Sequence, residues 1–230
     1  MSQKACMTNP ISSITSQLWF RNGDPIRTLG QRFRAYLHFN LVDHAFLRVV
    51  WTNFFEIAPG AYRSNQPSPR RLRQMHALGI RTVINLRGPN GSAAYMLEAQ
   101  ACKELGMTLI DLPMSARSMV RKELFLQLLD YFDQVEKPLV VHCKSGADRA
   151  GLASALYLMH VEGRSPEEAS KMLGLKYVHL KSTKTGILDH FMRIYSAAHA
   201  KSGISIRDWL ENEFDREEIS ASFKPLIGWA

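Results

Sequence analysis

Short, unbroken apolar runs alternate along this chain with stretches in which apolar residues recur every three or four positions. The clearest case is Leu139-Val140-Val141, which follows Pro138 without a polar interruption. Such a run is expected of a parallel strand covered on both faces. Behind it Leu152, Ala155, Leu156 and Met159 recur at helical spacing. The same change of period appears upstream. Residues 53–58 and 61–64 read as extended segments, Ser68-Pro69 opens a helix that Gly79 ends, and 82–86 is a buried strand. A helix over 93–105 closes at Gly106, a strand follows over 108–112, and Leu124, Leu128, Phe132 and Val135 mark a helix leading back to Pro138.

Strands that alternate with helices predict an α/β fold, a mostly parallel central sheet with helices on both faces. The flanks read as helical. An amphipathic helix is expected over 25–50. After a helix over 149–160, Ser165-Pro166-Glu167-Glu168 is a capping box that opens a helix reaching Leu173. Residues 186–200 and 206–214 follow as helices, and the chain from 222 onward carries no readable pattern. The expected division is an N-terminal helical extension over 1–53, an α/β domain over 54–200 and a C-terminal helical tail over 201–230.

Composition narrows this picture. With 230 residues, 46% of them hydrophobic and 22% charged, the chain can bury one sizeable core. Its three cysteines, Cys6, Cys102 and Cys143, are an odd number and make no disulfide framework, so a reducing compartment is expected. The first twenty residues lack the charged start and clean apolar run of a secretory signal. The apolar region over 36–57 is broken by His38, Asn40, Asp43, His44, Arg48 and Glu56, so no membrane span is expected there. The expectation is a soluble, cytoplasmic chain.

A net charge of +8 favours acidic partners. Arg63, Arg70, Arg71 and Arg73, with Arg27, Arg32, Arg34 and Arg48 before them, read as a solvated basic face. No interleaving of aromatic and basic residues points to a nucleic-acid platform, and no metal-ligand spacing or internal repeat is present.

The chemistry lies between the strand after Pro138 and the helix that follows. There the sequence is His142-Cys143-Lys144-Ser145-Gly146-Ala147-Asp148-Arg149. A loop that leaves the carboxyl end of a strand and opens a helix stands where open α/β sheets bind their ligands. Successive backbone N–H groups in such a loop form a nest, and the helix N-terminus adds partial positive charge. A dianion suits that field, and so does the thiolate of Cys143, the nucleophilic form of the residue. Arg149 carries a planar fork that can hold two phosphate oxygens at once, which lysine cannot. Gly146 permits a positive φ or a close approach. Lys144, Ser145, Gly146, Ala147, Asp148 and Arg149 are therefore the candidate phosphate-binding residues, and Gly151 is expected to let the helix begin close to the sheet.

His-Cys-x5-Arg resembles the signature loop of the cysteine-dependent protein tyrosine phosphatases. The run over 142–152 is similar to the small bacterial and atypical dual-specificity branch. Ala61-Tyr62-Arg63-Ser64-Asn65-Gln66-Pro67 and Gly79-Ile80-Arg81-Thr82-Val83-Ile84-Asn85-Leu86-Arg87 resemble the opening of that branch. The resemblance covers roughly 54–172. It implies a hydrolase of phosphomonoesters without metal or cofactor, acting on protein phosphotyrosine, and on phosphoserine or phosphothreonine, through a phosphocysteine intermediate. Cys143 would be the nucleophile, Arg149 the phosphate grip, and His142 the residue that orders the loop.

The resemblance also implies an upstream aspartate as general acid. Asp111 stands 32 residues before Cys143, at the end of a predicted strand and before Pro113. Many relatives carry the acid a few residues deeper, where this chain has Ser115, Ala116, Arg117 and Ser118. Asp148 is the second candidate, with a structural salt bridge or loop hydrogen bond as its other reading. One position departs from the family: Ala150 replaces the serine or threonine whose hydroxyl helps the sulfur leave the phosphoenzyme, which implies slower breakdown of phosphocysteine. Lys144 and the basic surface also suit a phosphoinositide or other anionic phospholipid. The N-terminal helix, with Phe33, Tyr36, Phe39 and Phe46, could touch a membrane or pack on the α/β domain. A phosphate-binding pseudophosphatase and a rhodanese-type sulfurtransferase are the alternatives of other classes.

Overall fold

The computed structural model describes residues 26–41 and 51–224 of the chain. Helix α1 (Leu29–Leu41) precedes a five-stranded sheet built from β1 (Phe55–Ala58), β2 (Ala61–Ser64), β3 (Thr82–Asn85), β4 (Thr108–Asp111) and β5 (Leu139–His142). The spatial order is β1-β2-β5-β3-β4. β2, β5, β3 and β4 run parallel to their neighbours, while β1 pairs antiparallel with β2 at the edge and is bulged between Glu56 and Ala58. Every residue of β3 and β5 is buried, the apolar Val83-Ile84 and Leu139-Val140-Val141 together with the polar Thr82, Asn85 and His142 at the strand ends.

Between the strands come α2 (Pro69–Ala77), α3 (Ala93–Leu105) and α4 (Lys122–Gln134), and α5 (Asp148–His160) follows β5. Ser68 and Ser92 cap α2 and α3, their hydroxyls accepting the N–H groups of Arg71 and Tyr95. Gly106 ends α3 in the left-handed conformation at φ +66°. Strand alternation divides the core in two. Val83 and Val140 face α2 and α3, in a cluster with Leu72, Met75, Ile80, Ala101 and Cys102. Ile84, Leu139, Val141 and Cys143 face the other way, in a larger cluster with Leu128, Leu152, Leu156 and Phe191.

That second face is thickened by α6 (Pro166–Ser170), α7 (Ile187–Ser202), α8 (Ile206–Asn212) and α9 (Arg216–Ser222). They enclose α5, whose residues from Ala150 to Met159 are all buried. Phe125, Phe191, Trp209 and Phe214 meet edge-on or stacked, with ring centroids 4.9 to 6.0 Å apart. Trp209, Leu210 and Ile219 share this core, so the C-terminal helices are packed on the α/β domain. Helix α9 was not legible in the sequence; Asp215 begins it by accepting the N–H groups of Glu217 and Glu218.

The N-terminal helix begins at Leu29, later than its pattern predicts, and is described as far as Leu41, with Ala35 and Phe39 packed on Ala93, Ala94 and Leu97 of α3; residues 42–50, including Phe46 and Arg48, lie outside the described residues, as does Cys6. The capping-box helix does cap as expected, Ser165 Oγ accepting Glu168 N–H, but it stops at Ser170 instead of Leu173. Past that point the carbonyl of Met172 is taken by Arg63, and Gly174 is extended before a 3-10 turn over Leu175–Tyr177.

Strand register sets up the site. Ser64 pairs with His142, His142 with Asn85, and Asn85 with Asp111, so one residue of each parallel strand stands in a row at the sheet's carboxyl edge. β5 is the middle strand. Its loop therefore emerges between the loops that follow β2 and β3, a crevice of the kind in which α/β sheets bind ligands.

Candidate active site

Cys143 is the first residue beyond β5 and is buried, with Arg149 in the first turn of α5. The loop between them is held from outside by its carbonyls. Gln66 N–H donates to Lys144 O at 3.2 Å, Asn53 Nδ2 to Ser145 O at 3.1 Å, and Arg63 Nη2 to Gly146 O at 2.6 Å and Ala147 O at 3.2 Å. A trans peptide directs its C=O and the following N–H to opposite sides. Four successive carbonyls pinned outward thus turn the N–H groups of Ser145, Gly146, Ala147 and Asp148 towards the inside of the loop. Among these, Ala147 N–H meets Ser145 Oγ at 3.3 Å. The result is an anion nest built by peptide orientation.

Gly146 has φ +75°, and a Cβ there would stand 2.8 Å from both Asn65 N and Asn53 Cβ. Glycine is needed because neighbouring chain closes on the loop, rather than for approach of a ligand. Gly151 is similarly explained: a Cβ would lie 2.8 Å from Met172 O and 3.3 Å from Nη2 of Arg63 on β2, so glycine admits both the segment after α6 and the sheet's buried arginine.

Arg63 corrects the sequence reading most sharply. Read there as part of a solvated basic face, it is fully buried behind the loop. Besides its two loop carbonyls it donates to Met172 O at 2.8 Å, and its guanidinium lies 3.8 Å from the Tyr177 ring centroid. Burial pulls its pKa down to about 10, offset in part by Tyr177, Cys143 and Asp148; it stays a cation at neutral pH. Nothing in the apolar and polar pattern of β2 distinguishes an inward arginine. Only the pairing with β5 reveals what it holds.

His142 is also fully buried. Its Nε2 lies 2.8 Å from Glu98 Oε1, and Glu98 Oε2 accepts from Gln66 Nε2 at 2.8 Å. Gln66 Oε1 in turn accepts from Arg87 Nη1 at 2.7 Å. A buried carboxylate on α3 is thus joined to the histidine that precedes Cys143, and through Gln66 to the backbone of Lys144. Glu98 and Gln66 were not singled out from sequence; the available signal is one glutamate inside the apolar face of α3. Arg149 Nη1 donates to Leu86 O at 3.2 Å and Met114 O at 3.5 Å, which sets the guanidinium across the loops after β3 and β4. Lys144 is exposed, and Ala150 is buried in the cluster that contains Cys143.

The two aspartates are both tethered. Asp111 Oδ1 accepts from Asn85 Nδ2 at 2.8 Å and Oδ2 from the Tyr95 hydroxyl at 2.7 Å. Burial, with the bond to Asp111 adding to it, pushes the Tyr95 phenol up to about 12, so it remains a donor. Asp148 Oδ1 lies 2.7 Å from His179 Nδ1, and His179 Nε2 lies 2.7 Å from Asp189 Oδ2. Cys102 belongs to the α2–α3 cluster, on the sheet face opposite the cluster that holds Cys143, and burial pushes its thiol up to about 12.

His179 ties the loop's last turn to α7 and makes stability depend on pH. Burial opposes its charge, but Asp148 and Asp189 outweigh burial and lift its pKa from 6.5 to about 9. A folded-state value above the unfolded one stabilises fully below pH 6.5 and loses that contribution as pH rises through 9. Thermal melts are expected to drop between these limits, and His179→Gln should remove that part of the dependence. A wild-type melting temperature that is flat across the window would contradict this account.

Comparison with known proteins agrees with these features. The family described as "PTP-SAK: Swiss Army Knife protein, DSP-PTPase phosphatase domain" matches residues 52–202. The dual specificity protein phosphatase TpbA of Pseudomonas aeruginosa (strain UCBPP-PA14) is 26% identical over 119 residues, which cover 51% of this chain and 51% of TpbA. The chain thus spans about half the length of that curated relative. The human phosphatidylglycerophosphatase and protein-tyrosine phosphatase 1 is 34% identical over 65 residues, 27% of this chain and 32% of the human one. The crystal structure of Tk-PTP in the active form superposes with a TM-score of 0.52 at 20% identity, covering 64% of this chain and 98% of that one, which supports the fold. With its Cys143–Arg149 loop on the central strand of a mostly parallel sheet, the chain belongs to the PTP-SAK family of dual-specificity-type protein tyrosine phosphatase domains.

Proposed function

We propose that this protein hydrolyses phosphomonoesters, protein phosphotyrosine foremost, through a phosphocysteine intermediate. The observation that carries the reading is the row of outward-bound carbonyls from Lys144 to Ala147, which turns the loop's N–H groups inward between Cys143 and Arg149. In this reading those N–H groups and the Arg149 fork hold the phosphoryl oxygens, and the Cys143 thiolate attacks phosphorus. The S–P bond forms as the ester P–O bond breaks, and the departing oxygen takes a proton. Water then attacks phosphorus, gives up its proton to the base so formed, and the S–P bond breaks to return the thiolate.

We assign the proton to Asp111. Neither aspartate is poised without rearrangement, so the choice rests on which bond exchanges more easily. Asp111 is held by a neutral phenol and an amide, whereas Asp148 is bound to a His179 kept cationic between two carboxylates. Bonds between two charged groups are the stronger. The role of Asp148 in this reading is to lock the loop to His179, and that of His142 is to transmit the order of Glu98 and Gln66 to Cys143.

The direct test is acid quench of the enzyme during turnover of a phosphotyrosyl peptide, followed by mass spectrometry. A phosphoryl adduct on the peptide containing Cys143, together with released phosphate, is expected. Tight peptide binding without adduct or phosphate would make the protein a phosphate-binding pseudophosphatase, and thiosulfate turnover would make it a sulfurtransferase. A second reading, an anionic phospholipid substrate, is favoured by the exposed Lys144 beside the nucleophile and by the human relative's name as a phosphatidylglycerophosphatase. A nucleophilic thiol suits a reducing, cytosolic location.

Ala150→Ser restores a hydroxyl in the first turn of α5, in the cluster that contains Cys143. One added hydrogen bond to the leaving sulfur is expected to speed phosphocysteine breakdown by about 2- to 10-fold. The pre-steady-state burst should shrink relative to the steady rate. An unchanged ratio would show that thiolate release does not limit turnover.

A further inference from the structure

The segment over 171–184, Lys-Met-Leu-Gly-Leu-Lys-Tyr-Val-His-Leu-Lys-Ser-Thr-Lys, contains four lysines and no acidic residue. It borders the phosphate loop. Tyr177 O accepts from Asn53 Nδ2, the same group that holds Ser145 O, and the Tyr177 ring carries the Arg63 guanidinium. His179 binds Asp148. These two residues face inward and are buried.

What faces outward is apolar or cationic. Leu175, Val178 and Leu180 are 76%, 52% and 49% exposed, and Lys171, Lys176, Lys181 and Lys184 are exposed around them. Val178 sits at φ +61°, a conformation that a β-branched residue rarely takes and that the surrounding contacts must impose. Trp51, 46% exposed, lies two residues before the Asn53 that binds this segment. Isolated exposed apolar side chains need no explanation. Here several are grouped with lysines on one short segment tied to the phosphate loop.

An acidic peptide in water would satisfy the lysines and leave the leucines and valine wet. An anionic bilayer satisfies both. Its headgroup phosphates attract the lysines, its acyl boundary accepts aliphatic side chains, and its interface suits tryptophan. No helix among the described residues is long and apolar enough to cross a membrane, so the contact would be peripheral. We infer that the rim formed by Leu175, Val178, Leu180 and the neighbouring lysines docks the protein on an anionic phospholipid surface. Its consequence, presentation of a membrane-borne phosphate to Cys143, rests on the function proposed above; the docking itself does not.

The test is flotation of the full chain with phosphatidylcholine vesicles with and without phosphatidylglycerol, with p-nitrophenyl phosphate hydrolysis measured in parallel. The wild type is expected to float only with the anionic vesicles. A lysine near such a surface changes partitioning about fivefold, so Lys181→Glu/Lys184→Glu should weaken binding by roughly 25-fold or more. Leu175→Ser/Leu180→Ser should weaken it about tenfold. Both variants should keep hydrolysis of the small ester, which also reports that they fold. Wild type that stays unbound, binds neutral vesicles equally, or is matched by both variants overturns the inference. In the last case the exposed stripe of Leu29, Phe33, Leu37 and Leu41 on α1 becomes the docking face. Docking without ester hydrolysis would instead sink the phosphatase reading and leave this one standing.

Discussion

Cys143→Ser is expected to lower turnover of a phosphotyrosyl peptide by at least about 10^4-fold, the scale on which loss of a nucleophile is felt when it acts as one unit with its site. A serine hydroxyl keeps the shape of the side chain but is a far weaker nucleophile at neutral pH. The loop should survive the change. Its carbonyls are held by Gln66, Asn53 and Arg63, none of which bonds to the Cys143 side chain. Binding of phosphopeptide should therefore remain measurable by calorimetry while kcat vanishes, a split that separates a lost nucleophile from a collapsed site. Retained turnover in the serine variant would remove Cys143 from the mechanism.

The second large effect is expected at Arg63, a residue with no contact to substrate in the proposed mechanism. Arg63→Met keeps much of the volume but leaves Gly146 O, Ala147 O and Met172 O without their shared donor. Each buried acceptor so abandoned costs about 1–3 kcal/mol, and the net loss should be about 3–5 kcal/mol, as for removal of one partner from a buried charged network. Against a typical total of about 5–15 kcal/mol this is a large share. For a chain of this size it corresponds to a fall of roughly 10 °C in melting temperature. Activity should fall further than stability alone explains, because the freed peptides of Gly146 and Ala147 can turn their N–H groups away from the anion. Arg63→Lys should recover little, since one ammonium cannot span three carbonyls at fixed fork geometry. A methionine variant that melts within about 2 °C of wild type would refute this account.

These two residues differ in how legible they were. Cys143 announces itself because Pro138, the apolar run after it and the helical period from Leu152 are all local signals. They place a cysteine between a strand and a helix without knowledge of any other part of the chain. Arg63 belongs to an equally local pattern, a four-residue edge-side strand, yet its direction depends on the parallel pairing of β2 with β5, which brings Arg63 beside Val141. Glu98 is hidden for the same reason. Its partner His142 lies on a strand far along the chain, and no periodicity in α3 specifies which helix face meets the carboxyl end of β5. Asp111 was found by spacing, and its position at the end of β4 is as expected. Its tethers to Asn85 and Tyr95 were not readable, because they come from a neighbouring strand and a crossover helix.

Local chemistry along the chain alone determined the α/β alternation, the helix caps at Ser68 and Ser165, the glycine stop at Gly106, and the loop that joins a cysteine to a guanidinium. Each of these depends on residues within a few positions of one another, where spacing translates directly into geometry. Only the tertiary structure decided that Arg63, Asn53 and Gln66 orient the loop's peptides, that His142 answers to Glu98, that Asp148 is bound by His179, and that Leu175, Val178 and Leu180 remain in solvent beside the loop. All of those are contacts between segments brought together by strand order and helix packing. Side-chain direction across such contacts is set by pairing partners that the sequence does not order in space.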